Sequence, residues 1–144
     1  MRLWHKDLLP YLPDLQFKVQ LSELVLIMHD WRDRGKTNHL LINKVMSYGK
    51  EQLHEYFLLY AKEWNKRYIK DIDQNIYKEF EDFCGLPKTT RLFCGWHNKE
   101  YLRVCMANLY EKYHFGVGKS AITPNEFMTL RIGYYKITGE EYTV

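Results

Sequence analysis

The apolar residues of this chain recur mostly three and four positions apart, the spacing that gives a helix one buried face. The longest stretch with this spacing runs from Asp14 to Arg34. Asp14 can cap its start, and Gly35 follows a charged run and can end it. The apolar stripe consists of Leu15, Leu21, Leu24, Val25 and Met28. The pattern therefore predicts one long helix near the start of the chain.

Further helices are predicted on the same grounds. Residues 51–67 have the clearest amphipathic pattern, and residues 98–113 form a third strong helix that Asn98 can cap. Two shorter helices are expected at residues 39–46 and 73–83. The run from Thr123 to Glu126 has the form of a capping box with proline at the first helical position, so another helix is expected to begin there.

The stretches between these helices contain the residues that interrupt helices. Pro10 and Pro13 should keep the arm before Asp14 extended or turn-like. Residues 47–50 break the helical pattern, and residues 88–96 are expected to form a packed loop. No stretch alternates between apolar and polar residues as a strand does. We therefore predict an all-α fold, a single domain over residues 1–144 with about three main helices plus short ones.

Composition narrows the class of protein. The chain is 46% apolar and 16% aromatic, which is ample for one core, and no apolar run approaches the roughly 20 residues of a membrane span. With no signal-peptide pattern either, a cytoplasmic protein without membrane association is expected. Cys84, Cys94 and Cys105 are odd in number and form no CxxC pair, and the histidines lack metal-ligand spacing. No metal or cofactor is predicted.

Charge is unevenly distributed along the chain. Residues 1–50 and 84–144 each hold eight basic and five acidic side chains, whereas residues 51–83 hold five basic and eight acidic. The two basic ends could form one nucleic-acid-binding face, or they could be ordinary solvated helix surfaces. Tyr134 and Tyr135 beside Lys136 are candidates for stacking on bases.

One carboxylate, Glu23, stands near the middle of the first predicted helix. The arm before it begins MRLWH, which is too apolar for a solvated tail. If this arm packs beside the helix, the α-amine of Met1 would lie close to the Glu23 carboxylate. From the pattern alone, an isolated acidic residue in the middle of a helix is usually a solvated residue on the helix surface.

Three short motifs carry a resemblance to a known family. They are the opening MRLWH, the segment QLSEL at residues 20–24, and NHL at residues 38–40. Together with PYLP at residues 10–13 and, more loosely, HNKE at residues 97–100, they resemble the pyrimidine-dimer DNA glycosylase family, most closely a bacterial branch of it. The resemblance implies an all-α fold like that of phage endonuclease V.

The resemblance also implies a reaction. Family enzymes attack the sugar C1′ with their N-terminal α-amine, displace the damaged base as an imine forms, and cut the strand by β-elimination. Because an α-amine has a pKa of about 7.7–8.0, a useful fraction is neutral near pH 7. Met1 and Glu23 are then the expected catalytic residues, and the expected partner is double-stranded DNA with a damaged base or abasic site, bound by a monomer. The expected DNA-contacting residues are Arg2, His5, Lys18, Asn38, His39, Lys44, Tyr134, Tyr135 and Lys136.

Three positions depart from the family pattern. Basic residues that hold phosphates in the phage enzyme correspond here to Gln16, Ser22 and Leu26. This leaves an alternative function open, a non-catalytic nucleic-acid-binding module that keeps the scaffold without lesion recognition. A helical protein-interaction domain is a third possibility.

Overall fold

The computed structural model describes residues 2–35, 39–87 and 91–144, and within these ranges it contains helices and no strand. The all-α prediction is confirmed. The six α-helices are α1 (Asp14–Arg34), α2 (Leu40–Tyr48), α3 (Lys50–Tyr68), α4 (Gln74–Cys84), α5 (Lys99–His114) and α6 (Pro124–Thr138). Two 3-10 helices, Lys6–Tyr11 and Gly118–Ser120, precede α1 and α6.

The predicted helices are present, with differences at their ends. The break expected at residues 47–50 is confined to Gly49, whose φ of 102° ends α2 and allows α3 to begin at Lys50. Asp14 is the first residue of α1 rather than the cap before it, and it pairs with Lys18 at 3.2 Å. The arm is turn-like as expected, because it winds into a 3-10 helix that contains Pro10.

The C-terminal helix begins where the sequence predicts. The capping box at Thr123 and Glu126 is present, and α6 then continues for 15 residues through the aromatic and basic run that includes Tyr134. The described residues therefore contain four long helices, α1, α3, α5 and α6, where about three were expected. Asn98 and Asp73 cap α5 and α4 with their side chains.

The chain separates into two compact units, each made of two stretches of sequence. The Glu23 unit comprises Met1–Leu3 and Leu21–Cys94, and the His97 unit comprises Trp4–Gln20 and Gly95–Val144. Neither unit is a continuous segment, since α1 begins in the His97 unit and ends in the Glu23 unit. The single-domain organisation stays a prediction.

The core of the Glu23 unit is built on α3. Phe57 of α3 stacks on Phe80 of α4 with ring centroids 4.1 Å apart and planes 6° from parallel. Leu24, Ile27 and Met28 of α1 are fully buried. Leu15, which was expected in the apolar stripe, is 40% exposed, whereas Gln16 and Phe17 are buried. The buried face of α1 positions Glu23 beside the core without burying it completely.

The His97 unit packs its 3-10 helix against α6. A glycine permits this approach, because a Cβ at Gly133 would lie 2.3 Å from Cγ of Tyr11. Leu8 and Leu9 of the 3-10 helix are buried, as are Leu102 and Cys105 of α5. Cys105 is thus a core residue, and all three cysteines are free thiols. No helix in the described ranges is both long and apolar enough to span a membrane.

Candidate active site at Glu23

The backbone of the N-terminal arm meets Glu23. The N–H of Arg2 donates a hydrogen bond to Oε2 of Glu23 at 3.1 Å, across 21 residues of sequence. Both side chains are partly buried, and the neighbouring Leu24 is completely buried. A carboxylate held by a backbone donor at the edge of a core remains available to a further group from solvent. The structure therefore brings together two of the residues that the sequence indicated, Arg2 and Glu23.

Burial of Leu3 holds the arm in this position. Its side chain is 0% exposed, and full burial of a leucine contributes about 1.5–3 kcal/mol. Residues 2–5 belong to no helix, so the arm enters the core as a short irregular segment. The other expected catalytic residue, Met1, lies outside the described residues, as does Asn38.

Two more expected DNA-contacting residues lie on the surface of the Glu23 unit. His39 is exposed at the N-cap position of α2, where its side chain makes no capping hydrogen bond. Lys44 is exposed on α2, with Nζ 5.9 Å from the ring centroid of Tyr48. Both side chains are exposed, and a phosphate-binding surface is built from exposed donor residues of this kind.

The three positions that depart from the family pattern differ in their exposure. Ser22 and Leu26 are exposed on α1 on either side of Glu23, and Leu26 is 48% exposed. Gln16 is buried, and its Nε2 donates to the carbonyl oxygen of Ser120 at 3.2 Å. The solvent-facing positions 22 and 26 thus provide no cation, whereas position 16 has a packing role within the His97 unit.

The remaining expected residues lie in the His97 unit and differ in exposure. Lys18 is exposed and paired with Asp14, and Lys136 is exposed on α6. Tyr135 is 55% exposed and, with Lys136, lines a surface cleft of about 490 Å³ beside Met128 and Ile132. A ring in this position can stack on a base.

Tyr134 and His5 are buried instead. Tyr134 is 0% exposed, and its hydroxyl accepts a hydrogen bond from Arg103 at 3.0 Å. His5 is 2% exposed, and its Nδ1 accepts from the N–H of Asp7 at the start of the 3-10 helix. Neither ring presents a face to solvent, so neither residue belongs to an exposed surface that could contact DNA.

A second polar group, His97, also holds the arm. The N–H of Lys6 donates to Nδ1 of His97 at 2.9 Å, which places the proton of the neutral imidazole on Nε2. The ring stacks against His5, with centroids 5.2 Å apart. Burial, with smaller contributions from His5 and Lys6, lowers the pKa of His97 to about 2. His97 is therefore neutral at physiological pH.

Sequence reasoning did not identify Gln20, which is completely buried on α1. Its Oε1 accepts a hydrogen bond from the N–H of Trp4 at 2.8 Å. The sequence did contain one signal for Gln20. It is an amide side chain on the buried face of α1, at a position where an apolar side chain would be usual, three residues before Glu23. In the described ranges no three His, Cys, Asp or Glu side chains converge as metal ligands would, and the absence of a cofactor stays a prediction.

The comparison with known families agrees with the geometry. The sequence profile of the family described as pyrimidine dimer DNA glycosylase matches residues 1–76, more than half of the chain. The chain therefore belongs to the pyrimidine dimer DNA glycosylase family. The matched segment contains the arm, α1, α2 and α3, and with them the Arg2–Glu23 contact. No curated protein and no solved structure matches the chain.

Proposed function

We propose that the protein is a DNA glycosylase and AP lyase that uses the α-amine of Met1 as nucleophile and Glu23 as the assisting carboxylate. The observation that carries this proposal is the hydrogen bond from the N–H of Arg2 to Oε2 of Glu23. Covalent geometry keeps an α-amine within about 4 Å of the following residue's nitrogen. An amine on residue 1 is therefore tethered within short reach of this carboxylate.

The chemistry needs both groups. The neutral amine donates its lone pair to C1′ of the sugar, and the bond from C1′ to the base breaks as the base leaves with its electron pair. Loss of the amine proton and opening of the sugar ring then give an imine. Glu23 can stabilise the positive charge that develops on the sugar and can accept protons at these steps.

The same carboxylate can serve the lyase step. In the imine, a proton on C2′ becomes acidic because the electrons it leaves behind are delocalised onto the imine nitrogen. Removal of that proton expels the 3′ phosphate and cuts the strand by β-elimination. A half-buried carboxylate at the edge of a core is suited to this, since it retains access to a bound sugar.

Basic and aromatic residues that reach the surface would hold the DNA. Arg2, His39 and Lys44 provide donors on the Glu23 unit. Lys18, Tyr135 and Lys136 provide charge and a stacking surface on the His97 unit. Contacts of this kind fix the position of the duplex but carry little sequence information. Lesion selectivity would then depend on how easily a damaged nucleotide leaves the stack.

Borohydride trapping tests the proposal. Protein whose N-terminus is verified by mass to be Met1 is mixed with a duplex that carries one abasic site, and borohydride reduces any imine to a stable adduct. The control is the same protein with a two-residue N-terminal extension, which moves the amine without changing Glu23. We expect an adduct only with the native terminus. No adduct from folded protein with a verified Met1 terminus would exclude the lyase mechanism.

A non-catalytic nucleic-acid-binding module is the second candidate. It is favoured by the exposed Ser22 and Leu26, where family enzymes have phosphate-binding cations. Two missing charge-assisted contacts would cost about 1.5–3 kcal/mol each. Binding of undamaged and abasic duplexes with equal affinity and a steep salt dependence, without any covalent product, would establish this function instead.

A further inference from the structure

We propose that Gln20 is a positioning residue that sets the register of the N-terminal arm along α1 and so brings the terminal amine to Glu23. This role rests on the function proposed above. Gln20 is 0% exposed, and its Oε1 accepts the N–H of Trp4 at 2.8 Å. Glu23, three residues later on the same helix, accepts the N–H of Arg2 at 3.1 Å.

The two hydrogen bonds form a regular pattern. The N–H groups of Arg2 and Trp4, two residues apart, both point at α1, and N–H groups two residues apart in an extended backbone lie about 6.5 Å apart. Side chains three residues apart on a helix share a face and are separated by a rise of about 4.5 Å. Gln20 and Glu23 therefore present two acceptors to Arg2 and Trp4, the two alternate N–H groups on one side of the arm.

This pattern fixes the register of the arm along α1, because any other register would break both hydrogen bonds. A slip of one residue would turn the N–H groups of Arg2 and Trp4 away from α1 and would move the first residue by about 3.3 Å. Such a displacement is large for a nucleophile that must lie close to C1′. The buried amide of Gln20 thus acts on the reaction through the arm, without touching the DNA.

A neutral acceptor suits position 20. A carboxylate in this completely buried position would be costly to ionise, and its charge would raise the pKa of Glu23 one turn away. Glutamine accepts the N–H of Trp4 without introducing that charge. The arm can therefore be fixed without altering the ionisation of the carboxylate that the proposed reaction uses.

The test compares Gln20→Met with Gln16→Met. Methionine has a similar length but accepts no comparable hydrogen bond. Gln16 is the matched control, because it is also a buried glutamine on α1 but holds the carbonyl of Ser120 instead of the arm. We expect Gln20→Met to lower the rate of imine trapping about tenfold or more. Gln16→Met should change that rate less than about twofold, since it leaves the arm in place.

A second measurement needs no DNA. The pKa of the α-amine is obtained in the free protein from the pH dependence of its acylation by an active ester, followed by mass spectrometry of the N-terminal peptide. A carboxylate nearby should raise this pKa by about one unit. Glu23→Gln and Gln20→Met should both remove most of that increase, whereas Gln16→Met should preserve it. A merely structural role for Gln20 would not move the amine pKa.

The outcomes separate the two proposals. If wild type forms no imine but Gln20→Met and Glu23→Gln lower the amine pKa alike, the lyase function fails and the positioning role stands. An unchanged amine pKa and trapping rate in Gln20→Met would overturn the positioning role alone. Should Gln20→Met not fold, replacing the Trp4 amide with an ester removes the donor and leaves Gln20 intact. The amine pKa and the trapping rate of the ester-containing protein then decide whether the positioning role holds.

Discussion

Glu23 and His97 both accept a hydrogen bond from the backbone of the N-terminal arm, yet they are opposite kinds of polar group. Glu23 is a partly exposed carboxylate that receives the N–H of Arg2. His97 is a buried imidazole that receives the N–H of Lys6 and has a pKa lowered by burial to about 2. A group that must exchange protons needs access to solvent or substrate. Burial therefore distinguishes the candidate catalytic group from the group that holds the scaffold.

The largest effect is expected at Glu23. Glu23→Gln keeps an acceptor for the N–H of Arg2 but removes the charge, and loss of a general acid–base group lowers a rate by about 100-fold or more. The rate of strand cleavage at an abasic site should fall by that factor. The free energy of unfolding in urea should change by less than about 0.5 kcal/mol. A large loss of stability with little loss of cleavage would show that Glu23 has the structural role that the comparison assigns to His97.

The opposite result is expected at His97. His97→Phe preserves a ring for the stack with His5 but leaves the N–H of Lys6 without its acceptor, which costs about 1–3 kcal/mol. The matched control is His114→Phe, since His114 is exposed at the end of α5 and its ring stacks on Tyr110. That control should change stability by less than about 0.5 kcal/mol. Equal urea midpoints for the two variants would contradict a structural role for His97.

The sequence predicted the helices of this fold better than the contacts between them. Both ends of α1 were placed correctly, because Pro13 and Gly35 interrupt the pattern on either side of it. The pattern gave no end for α6, because an aromatic run containing Gly133 has weak helix propensity. Packing of Gly133 against Tyr11 and burial of Tyr134 favour the helix there. Such tertiary contacts leave no periodic signal in the sequence.

The candidate site shows the same limit. Family motifs indicated Glu23 and Arg2, and the structure shows these residues in contact, while their catalytic role stays a proposal. Gln20 could not be identified as an acceptor for Trp4, because that hydrogen bond joins positions 16 residues apart. Tyr134 was expected at a DNA surface because it stands beside Tyr135 and Lys136 in the sequence, and His5 because the family resemblance suggested it. Their burial follows from packing that residue type does not encode.

The free energy of unfolding should depend on pH through His97. Its folded pKa of about 2 lies below the unfolded value of about 6.5, so below pH 6.5 the unfolded chain binds a proton that the folded chain does not. The contribution of His97 to the free energy of unfolding is fully present above about pH 6.5 and is lost as the pH falls toward 2. Between pH 7 and pH 5 the loss should be about 2 kcal/mol.

Urea unfolding of wild type and His97→Phe at pH 7 and pH 5 measures this contribution. The difference in stability between the two proteins should shrink by about 2 kcal/mol at the lower pH, because only wild type contains His97 with its lowered pKa. Burial also lowers the pKa of His5, with Asp7 opposing and Lys6 adding to that shift, and these groups are common to both proteins. A difference that is the same at both pH values would show that folding does not lower the pKa of His97.

The smallest effects are expected when exposed lysines are replaced. These replacements test each of the two units separately as a DNA-binding surface. Lys44 lies on the Glu23 unit and Lys136 on the His97 unit, and both are exposed. If each contacts a phosphate, Lys44→Gln and Lys136→Gln should each reduce the slope of log affinity against log salt by about 0.9. Lys62→Gln is the control, because Lys62 is exposed on α3 within the acidic segment 51–83 and should leave the slope unchanged. A change for Lys44 but not for Lys136 would restrict the DNA-binding surface to the unit that contains Glu23.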